Sequence, residues 1–247
     1  MFDNFGKLSV ILPAYNEAEN IYLNALTTSH SIGVFLPQYE IIIVNDGSID
    51  QTLNEANRAA KEDRHIIVID SQPNKGKGHV LCTGTEAANG EYVAFCDSDL
   101  DLHPKQLEKF IRILKETNAD VVIGSKLHPE SKVEYPWHRK IISWGYYFTL
   151  LIVFHLKVKD TQTGLKLFRA DAIKPVMNKI LVKRFAYDIE VLAVLNRRGF
   201  KIESAPIELV YQRGRYGSRI RLSDIFNVAK DTMAIFYRLY ILKYYDN

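Results

Sequence analysis

Glu91-Tyr92-Val93-Ala94-Phe95-Cys96-Asp97-Ser98-Asp99-Leu100-Asp101 (EYVAFCDSDLD) is a short apolar run that stops at three acids set two apart. It is too short for a helix and ends in turn chemistry, so it reads as a buried strand. Lys7–Leu12, Glu40–Asn45 and His65–Asp70 have the same form, and Ala119–Gly124 makes a fifth. Between them lie helical patterns. Asn16 with Glu19, and Ser48 with Gln51, have the spacing of capping boxes, and Pro104 suits a first helical position. Leu107, Phe110, Ile111 and Leu114 then fall on one stripe. Near-continuous apolar strands alternating with helices predict an α/β fold, a mainly parallel sheet covered on both faces.

Downstream, Ala186–Arg198 reads as a helix stopped by Gly199 at C′, and Lys201–Ser204 and Ile207–Tyr211 as late strands split by Pro206. Leu222–Tyr245 is amphipathic, with Ile225, Val228, Ala229, Thr232, Phe236 and Leu239 on one side and Lys230, Arg238 and Lys243 among tyrosines. Such a helix suits docking on the core or lying at a bilayer interface. Nothing linker-like divides the chain. The division expected is one domain over 1–221 and an amphipathic segment over 222–247.

In a parallel sheet, ligands bind beyond the carboxyl ends of the strands. Those ends carry Pro13, Tyr15, Asn16 and Glu17 after the first strand, Asn45, Asp46 and Ser48 after the second, and Asp97, Asp99 and Asp101 after the fourth. Acids gathered on one rim repel unless they hold a cation or bind donor groups. Carboxylates two apart at a strand end can meet one hard cation, with substrate phosphate oxygens completing its shell. The plainer reading of the same acids is a capping turn.

Rival chemistries lack their signatures. Gly76-Lys77-Gly78 does not follow the first strand and lacks a third glycine, and neither G-x-x-x-x-G-K-[ST] nor G-x-S-x-G occurs. A net charge of +3 over 247 residues gives no case for nucleic acid. Arg213, Arg215, Arg219 and Arg221 nevertheless crowd one acid-free stretch, which points to an anionic partner. The two cysteines, Cys82 and Cys96, have no metal-ligand spacing and suit a reducing compartment. The first residues do not read as a signal peptide. The longest run free of Lys, Arg, Asp and Glu, Ile141–Leu156, is short of the roughly 17 residues a spanning helix needs at least, so an interface helix is expected there.

These strand ends resemble the family 2 glycosyltransferases. Leu12-Pro13-Ala14-Tyr15-Asn16-Glu17 is similar to their first donor-binding loop, and Val44-Asn45-Asp46-Gly47-Ser48 to their V-D-D-G-S, with Asn45 replacing the first Asp. Asn74-Lys75-Gly76-Lys77-Gly78 resembles their N-x-G-x-G, and Asp97-Ser98-Asp99 falls where their D-x-D falls. Further on, Asp160-Thr161-Gln162-Thr163-Gly164-Leu165-Lys166-Leu167-Phe168 resembles the D-T-Q-x-G-x-K-L-F of the polyprenyl-phosphate hexosyltransferases, dolichyl-phosphate glucosyltransferases especially. Phe185–Glu190 resembles their F-x-D-x-E helix, and Tyr216-Gly217-Ser218-Arg219 stands where they carry G-S-K. Lys126 departs from the Arg usual after Gly-Ser, which loses a bidentate fork.

The resemblance implies a GT-A fold: a Rossmann-like, mostly parallel mixed sheet with helices on both faces and C-terminal amphipathic interface helices. It implies an inverting, metal-dependent transfer of a hexose from UDP-glucose or GDP-mannose to a polyprenyl or dolichyl phosphate, at the cytoplasmic face of a membrane. Pro13, Tyr15, Glu17 and Asp46 would hold base and ribose, and Lys75 would approach the nucleotide. Asp97, Asp99 and Asp101 would hold Mg²⁺ or Mn²⁺, and Arg139, Arg213 and Arg219 would bind phosphates. A phosphate acceptor needs no base, whereas a saccharide or protein hydroxyl would need one, and Asp188 is the natural candidate. Asp188 capping its helix, Asp160 shaping a turn and Glu190 pairing with an arginine are the structural alternatives. A non-catalytic protein that binds nucleotide sugars is the reading from a different class.

Overall fold

The computed structural model describes residues 2, 4–133, 147–182, 186–209 and 222–246, with side chains from 228 onward in the last stretch. β1 (Leu8–Ala14), β2 (Tyr39–Asn45), β3 (Ile66–Asp70), β4 (Tyr92–Phe95) and β5 (Val121–Ser125) form from the Ile- and Val-rich runs. Two more strands, β6 (Lys166–Arg169) and β7 (Ile202–Pro206), complete a seven-stranded sheet in the order β3-β2-β1-β4-β6-β5-β7. All pairs are parallel except those of β6, which runs antiparallel to both β4 and β5. β1 lies between β2 and β4, so the order of the sheet reverses beside it, and a crevice opens beyond the carboxyl ends of β1 and β4.

Alternate residues feed two cores. Val10, Leu12, Ile41, Ile43, Ala94 and Leu167 pack under α1 (Ile21–Gly33), α2 (Thr52–Glu62) and α4 (Leu107–Thr117). Ile11, Ile42, Val93, Phe95, Ile123 and Phe168 point the other way. That face is covered by α3 (Lys77–Ala87), α5 (147–154), α6 (Ala170–Met177), α7 (Tyr187–Arg197) and α8 (Leu222–Phe236). At the amino ends of the strands, buried Glu40 accepts from Lys7 Nζ (2.5 Å), Ser9 Oγ (2.6 Å) and the Asn89 N–H (2.7 Å). These contacts tie β1, β2 and the α3–β4 turn together at the end opposite the crevice.

Several expectations need correction. β6 and α6 were not foreseen. α1 starts only at Ile21, and Asn16 does not cap it. Asn16 instead takes a left-handed φ of 54°, accepts the Ile49 N–H at 3.0 Å and gives its own N–H to Ser48 Oγ at 3.0 Å. The polar groups of these two loops satisfy each other instead of a helix end. Ser48 likewise bonds Asn45, and Asp50 serves the first turn of α2 by accepting the Thr52 N–H at 3.0 Å. Pro206 belongs to β7 itself and does not lie beyond the end of that strand. It ends β7 opposite Ser125, on an edge strand where a missing N–H costs no ladder bond. Beyond it Glu208 makes a single bridge to Lys132, and the rest of the expected strand, from 210, lies outside the described residues.

Pro104 opens a 3₁₀ turn (Pro104–Gln106), and the expected stripe of α4 is buried. Gly199 follows α7 with φ 84°, as a C′ glycine should. α8 gives way to a π-type turn at Tyr237–Ile241. Its inward residues are Thr232, Ile235 and Leu239, three and four apart. Ile235 thus takes the place expected of Phe236, which is 39% exposed, and Ala229 also faces outward. Among the described residues, no helix is long and apolar enough to cross a membrane.

Candidate active site

The crevice is built from strand ends. Pro13 pairs in register with Val44 near the end of β1 and is half-buried, and Tyr15 just beyond is 47% exposed. The Glu17 N–H donates to Thr52 Oγ1 at 2.8 Å, which binds the first loop to α2. After β2, buried Asp46 accepts the N–H groups of Lys75 (2.8 Å) and Gly76 (3.0 Å). Gly47 makes this closeness possible, since its φ is +64° and a Cβ there would stand 2.4 Å from the Asn74 nitrogen. Lys75 therefore contributes its backbone to Asp46 and keeps its side chain exposed. Asn45, buried, donates from Nδ2 to Asp70 Oδ1 at 2.7 Å, joining the ends of β2 and β3.

The three acids after β4 line one cleft of about 240 Å³, together with Lys126, Gln162 and Gly164. Leu100 sits between them at φ 56°, and the Asp101 N–H donates to Asp99 Oδ1 at 3.1 Å, so the backbone curls and both acids stay on the cleft. The far wall comes from the loop before β6. Antiparallel register sets Phe95 opposite Lys166, so two residues further on Asp97 meets Gly164. Asp160 folds that loop, accepting from Thr163 Oγ1 (2.8 Å), the Gln162 N–H (3.2 Å) and the Lys126 N–H (3.0 Å). Lys126 Nζ stands 3.6 Å from the same carboxylate. Asp160 thus shapes a turn, the structural alternative for that residue.

Beneath the rim lie two lysines that motif reading had passed over. Lys77, the first residue of α3, donates to Asp97 Oδ1. Lys166, 1% exposed, donates to Asp188 Oδ1 and to the Thr163 carbonyl, both at 2.5 Å. Burial raises the Asp97 carboxyl, but Lys77, with Lys166 and Lys126 further off, outweighs it and holds Asp97 below the usual carboxylate range. At Asp188 the balance tips the other way. Burial pushes it up, and Lys166, Lys77 and the Tyr187 hydroxyl only partly offset that. Lys77, Asp97, Lys166 and Asp188 form a charge-balanced quartet. Asp188 does not cap α7, whose first turn shows no side-chain cap.

The donor set on the rim is hard carboxylate oxygen, which fits Mg²⁺ or Mn²⁺ and not a soft metal. Among the described residues no three acidic, His or Cys side chains are grouped to hold a metal alone. Asp97, Asp99 and Asp101 therefore do not make a preformed three-ligand cage, and Asp97 is paired with Lys77. That suits Mg²⁺, which takes one or two carboxylates and fills its shell with water and substrate phosphate. Arg139, Arg213 and Arg219 lie outside the described residues, as do the rest of the arginine stretch Arg213–Arg221, the start of the expected interface helix at 141–146 and Phe185. Glu190, fully buried, does pair with an arginine: Arg238 stands 2.9 Å from it.

Residues 9–177 match the family described as Glycosyl transferase family 2. The chain belongs to that family. A dolichyl-phosphate beta-glucosyltransferase of Trichomonas vaginalis is 33% identical to this glycosyltransferase over 245 residues, covering 94% of this chain and 74% of the relative. The dolichyl-phosphate beta-glucosyltransferase of Saccharomyces cerevisiae is 30% identical over 262 residues, covering 97% and 77%. Glycosyltransferase AglD of Haloferax volcanii is 29% identical over 204 residues, which span 82% of this chain but 33% of AglD. Among solved structures, glucosyl-3-phosphoglycerate synthase from Mycobacterium tuberculosis with UDP superposes with a TM-score of 0.67 at 18% identity, covering 94% of this chain and 79% of that one. At that identity the likeness concerns the fold, which is GT-A-like.

Proposed function

We propose that this family 2 glycosyltransferase moves a hexose, glucose from UDP-glucose before mannose from GDP-mannose, onto a polyprenyl or dolichyl phosphate. The observation that carries the reading is the meeting of Asp97, Asp99, Asp101 and Lys126 in one cleft at the switch point of the sheet. Two relatives of at least 30% identity bear the name dolichyl-phosphate beta-glucosyltransferase, which supports both the lipid phosphate and the glucose.

The reaction is a single displacement. An acceptor phosphate oxygen bonds to the anomeric carbon as the bond from that carbon to the nucleoside diphosphate breaks, and configuration inverts. Pro13, Tyr15, Glu17 and Asp46 face the base and ribose, and Lys75 with Lys77 flanks the phosphates. Mg²⁺ or Mn²⁺, held by one or two carboxylates from among Asp97, Asp99 and Asp101 and otherwise by water and substrate phosphate, would supply Lewis-acid neutralisation of the diphosphate. Arg139, Arg213 and Arg219 bind the phosphates of donor or acceptor. The second pKa of a phosphate monoester is about 6, so the acceptor is its own nucleophile at neutral pH and needs no base. Asp188, with Oδ1 on Lys166, then acts by holding the lysines in place. Its raised pKa favours one second reading, a hydroxyl acceptor with Asp188 as general base.

Residues 1–221 form the transferase domain and 222–247 an amphipathic segment that meets a membrane at its cytoplasmic face. Ile152, Met233, Ile241 and Leu242 are 74%, 73%, 61% and 55% exposed, and support this placement.

One assay tests the whole reading. Labelled UDP-glucose or GDP-mannose is incubated with Mn²⁺ and polyprenyl phosphate, then extracted with organic solvent. Label in the lipid phase that is lost with EDTA, or with Asp97→Ala together with Asp99→Ala, is expected, and Asp188→Asn should keep measurable turnover. Label in a water-soluble saccharide or protein, abolished by Asp188→Asn, would replace this reading with the second. Nucleotide binding without transfer would make the protein a non-catalytic binder.

A further inference from the structure

Glu190 is fully buried on α7 and has four donors. The N–H groups of Leu181 (3.1 Å) and Val182 (2.7 Å) reach Oε2. Arg238 Nη2 (2.9 Å) and the Tyr245 hydroxyl reach Oε1, and Arg238 Nε donates to the same hydroxyl at 3.0 Å. A carboxylate, a guanidinium and a phenol so close a ring within the core. Tyr245 is 1% exposed. At the other end of α7, Arg198 Nη2 donates to the Tyr245 carbonyl at 2.9 Å, and Arg197 lies over the Tyr240 ring at 5.3 Å. The segment after α8 thus straps α7 from its first turn to its C-cap.

Asp188 and Glu190 stand two apart in the first turn of α7, and residues two apart on a helix face opposite ways. One looks to Lys166 under the cleft, the other to Arg238. Helices do not stretch, so a slide or rotation of α7 that loosens Glu190 also moves Asp188 off Lys166. We propose that Arg238 and Tyr245 are positioning residues for sugar transfer, setting the register of α7, through Glu190, and with it the Asp188–Lys166 pair. The kinetic part of this rests on the proposed transfer activity, whereas the structural part stands without it.

Arg238→Met, Arg238→Lys and Tyr245→Phe are compared with Arg197→Met. The last loosens the same segment at a surface pair of 3.7 Å, Arg197–Asp246, and leaves the Glu190 ring intact. Turnover is measured below the unfolding transition, with folded fraction checked by circular dichroism. Arg238→Met should lower kcat by about tenfold or more with donor KM little changed, because the donor rim is on β1, β2 and β4. Arg238→Lys should recover part of kcat, and Arg197→Met should leave it intact. Hydrogen exchange on the same proteins separates this inference from the activity itself. Faster exchange in Arg238→Met is expected within α7 and over residues 160–168, the loop before β6 and the start of that strand. Faster exchange confined to 222–246 would overturn the proposal whether or not transfer is detected. So would wild-type kcat in folded Arg238→Met.

Discussion

Gly164 and Asp97 stand so close that a Cβ on residue 164 would lie 2.0 Å from Asp97 Oδ2. The Asp97 carboxylate, which Lys77 holds through Oδ1, must shift to make room. Gly164→Ala is therefore expected to remain folded by circular dichroism and to lose on the order of a hundredfold in transfer, the scale of an ångström-sized misplacement at a reacting centre. Wild-type transfer in this variant would show that Asp97 does not need its present place.

The side chains of Lys166 and Asp188 are 2% and 9% exposed and bonded at 2.5 Å. Breaking one side leaves a buried charge alone, at a cost of about 3–5 kcal/mol. Lys166→Met should lower the urea midpoint accordingly, and Lys166→Met with Asp188→Asn should regain much of the loss. Two losses that simply add would mean the pair is not coupled.

Asn45 shows why this chain departs from the V-D-D-G-S pattern. Its amide, on a buried residue, donates at 2.7 Å to the exposed carboxylate of Asp70. Asn45→Asp, the residue of the pattern, would set two carboxylates at hydrogen-bond distance, where their charges repel and the donated bond is lost. A loss of about 1–3 kcal/mol is expected at pH 7 and less near pH 4, where one carboxyl can hold a proton. A loss that does not shrink on acidification would refute the pairing.

Glu40 bears on acid stability. Burial raises its carboxyl, but Lys7, Ser9 and the Asn89 N–H outweigh that and hold it below its ordinary 4.5. A carboxyl depressed by folding contributes stability that is complete above its unfolded pKa. That contribution is lost as pH falls through the folded value, so it fades below pH 4.5. In Glu40→Gln the melting temperature should fall at pH 7 and decline less steeply below pH 4.5 than in wild type. Parallel pH profiles would count against a role for Glu40.

The parts of this architecture that could be read in the chain are those whose signal is local. β1 to β5 are Ile- and Val-rich and end in turn residues, and the rim acids follow from where those strands stop. β6 escaped because Lys166-Leu167-Phe168-Arg169 is short, charged at both ends and without alternation; only its partners β4 and β5 make it a strand. A lysine between Leu165 and Leu167 is the trace it left, since an ammonium in an apolar run calls for a buried partner. In Asn74–Gly78 both lysines fit the motif, and only the start of α3 decides that Lys77, not Lys75, meets Asp97. Asn16 and Ser48 misled as caps because loop-to-loop bonds between β1 and β2 cannot be seen in a single stretch of chain.

The reversed strand also governs how this protein leaves the ribosome. β3, β2, β1 and β4 are contiguous in the sheet and emerge first, so they can assemble as soon as they are made. β5 comes next but borders only β6 and β7, both synthesised later. Until Lys166–Arg169 appears, the nascent chain bears a second bare edge at β4, besides the one at β3 that the finished sheet keeps, and one solitary apolar strand, VVIGS. That interval is when aggregation threatens and chaperone capture helps most.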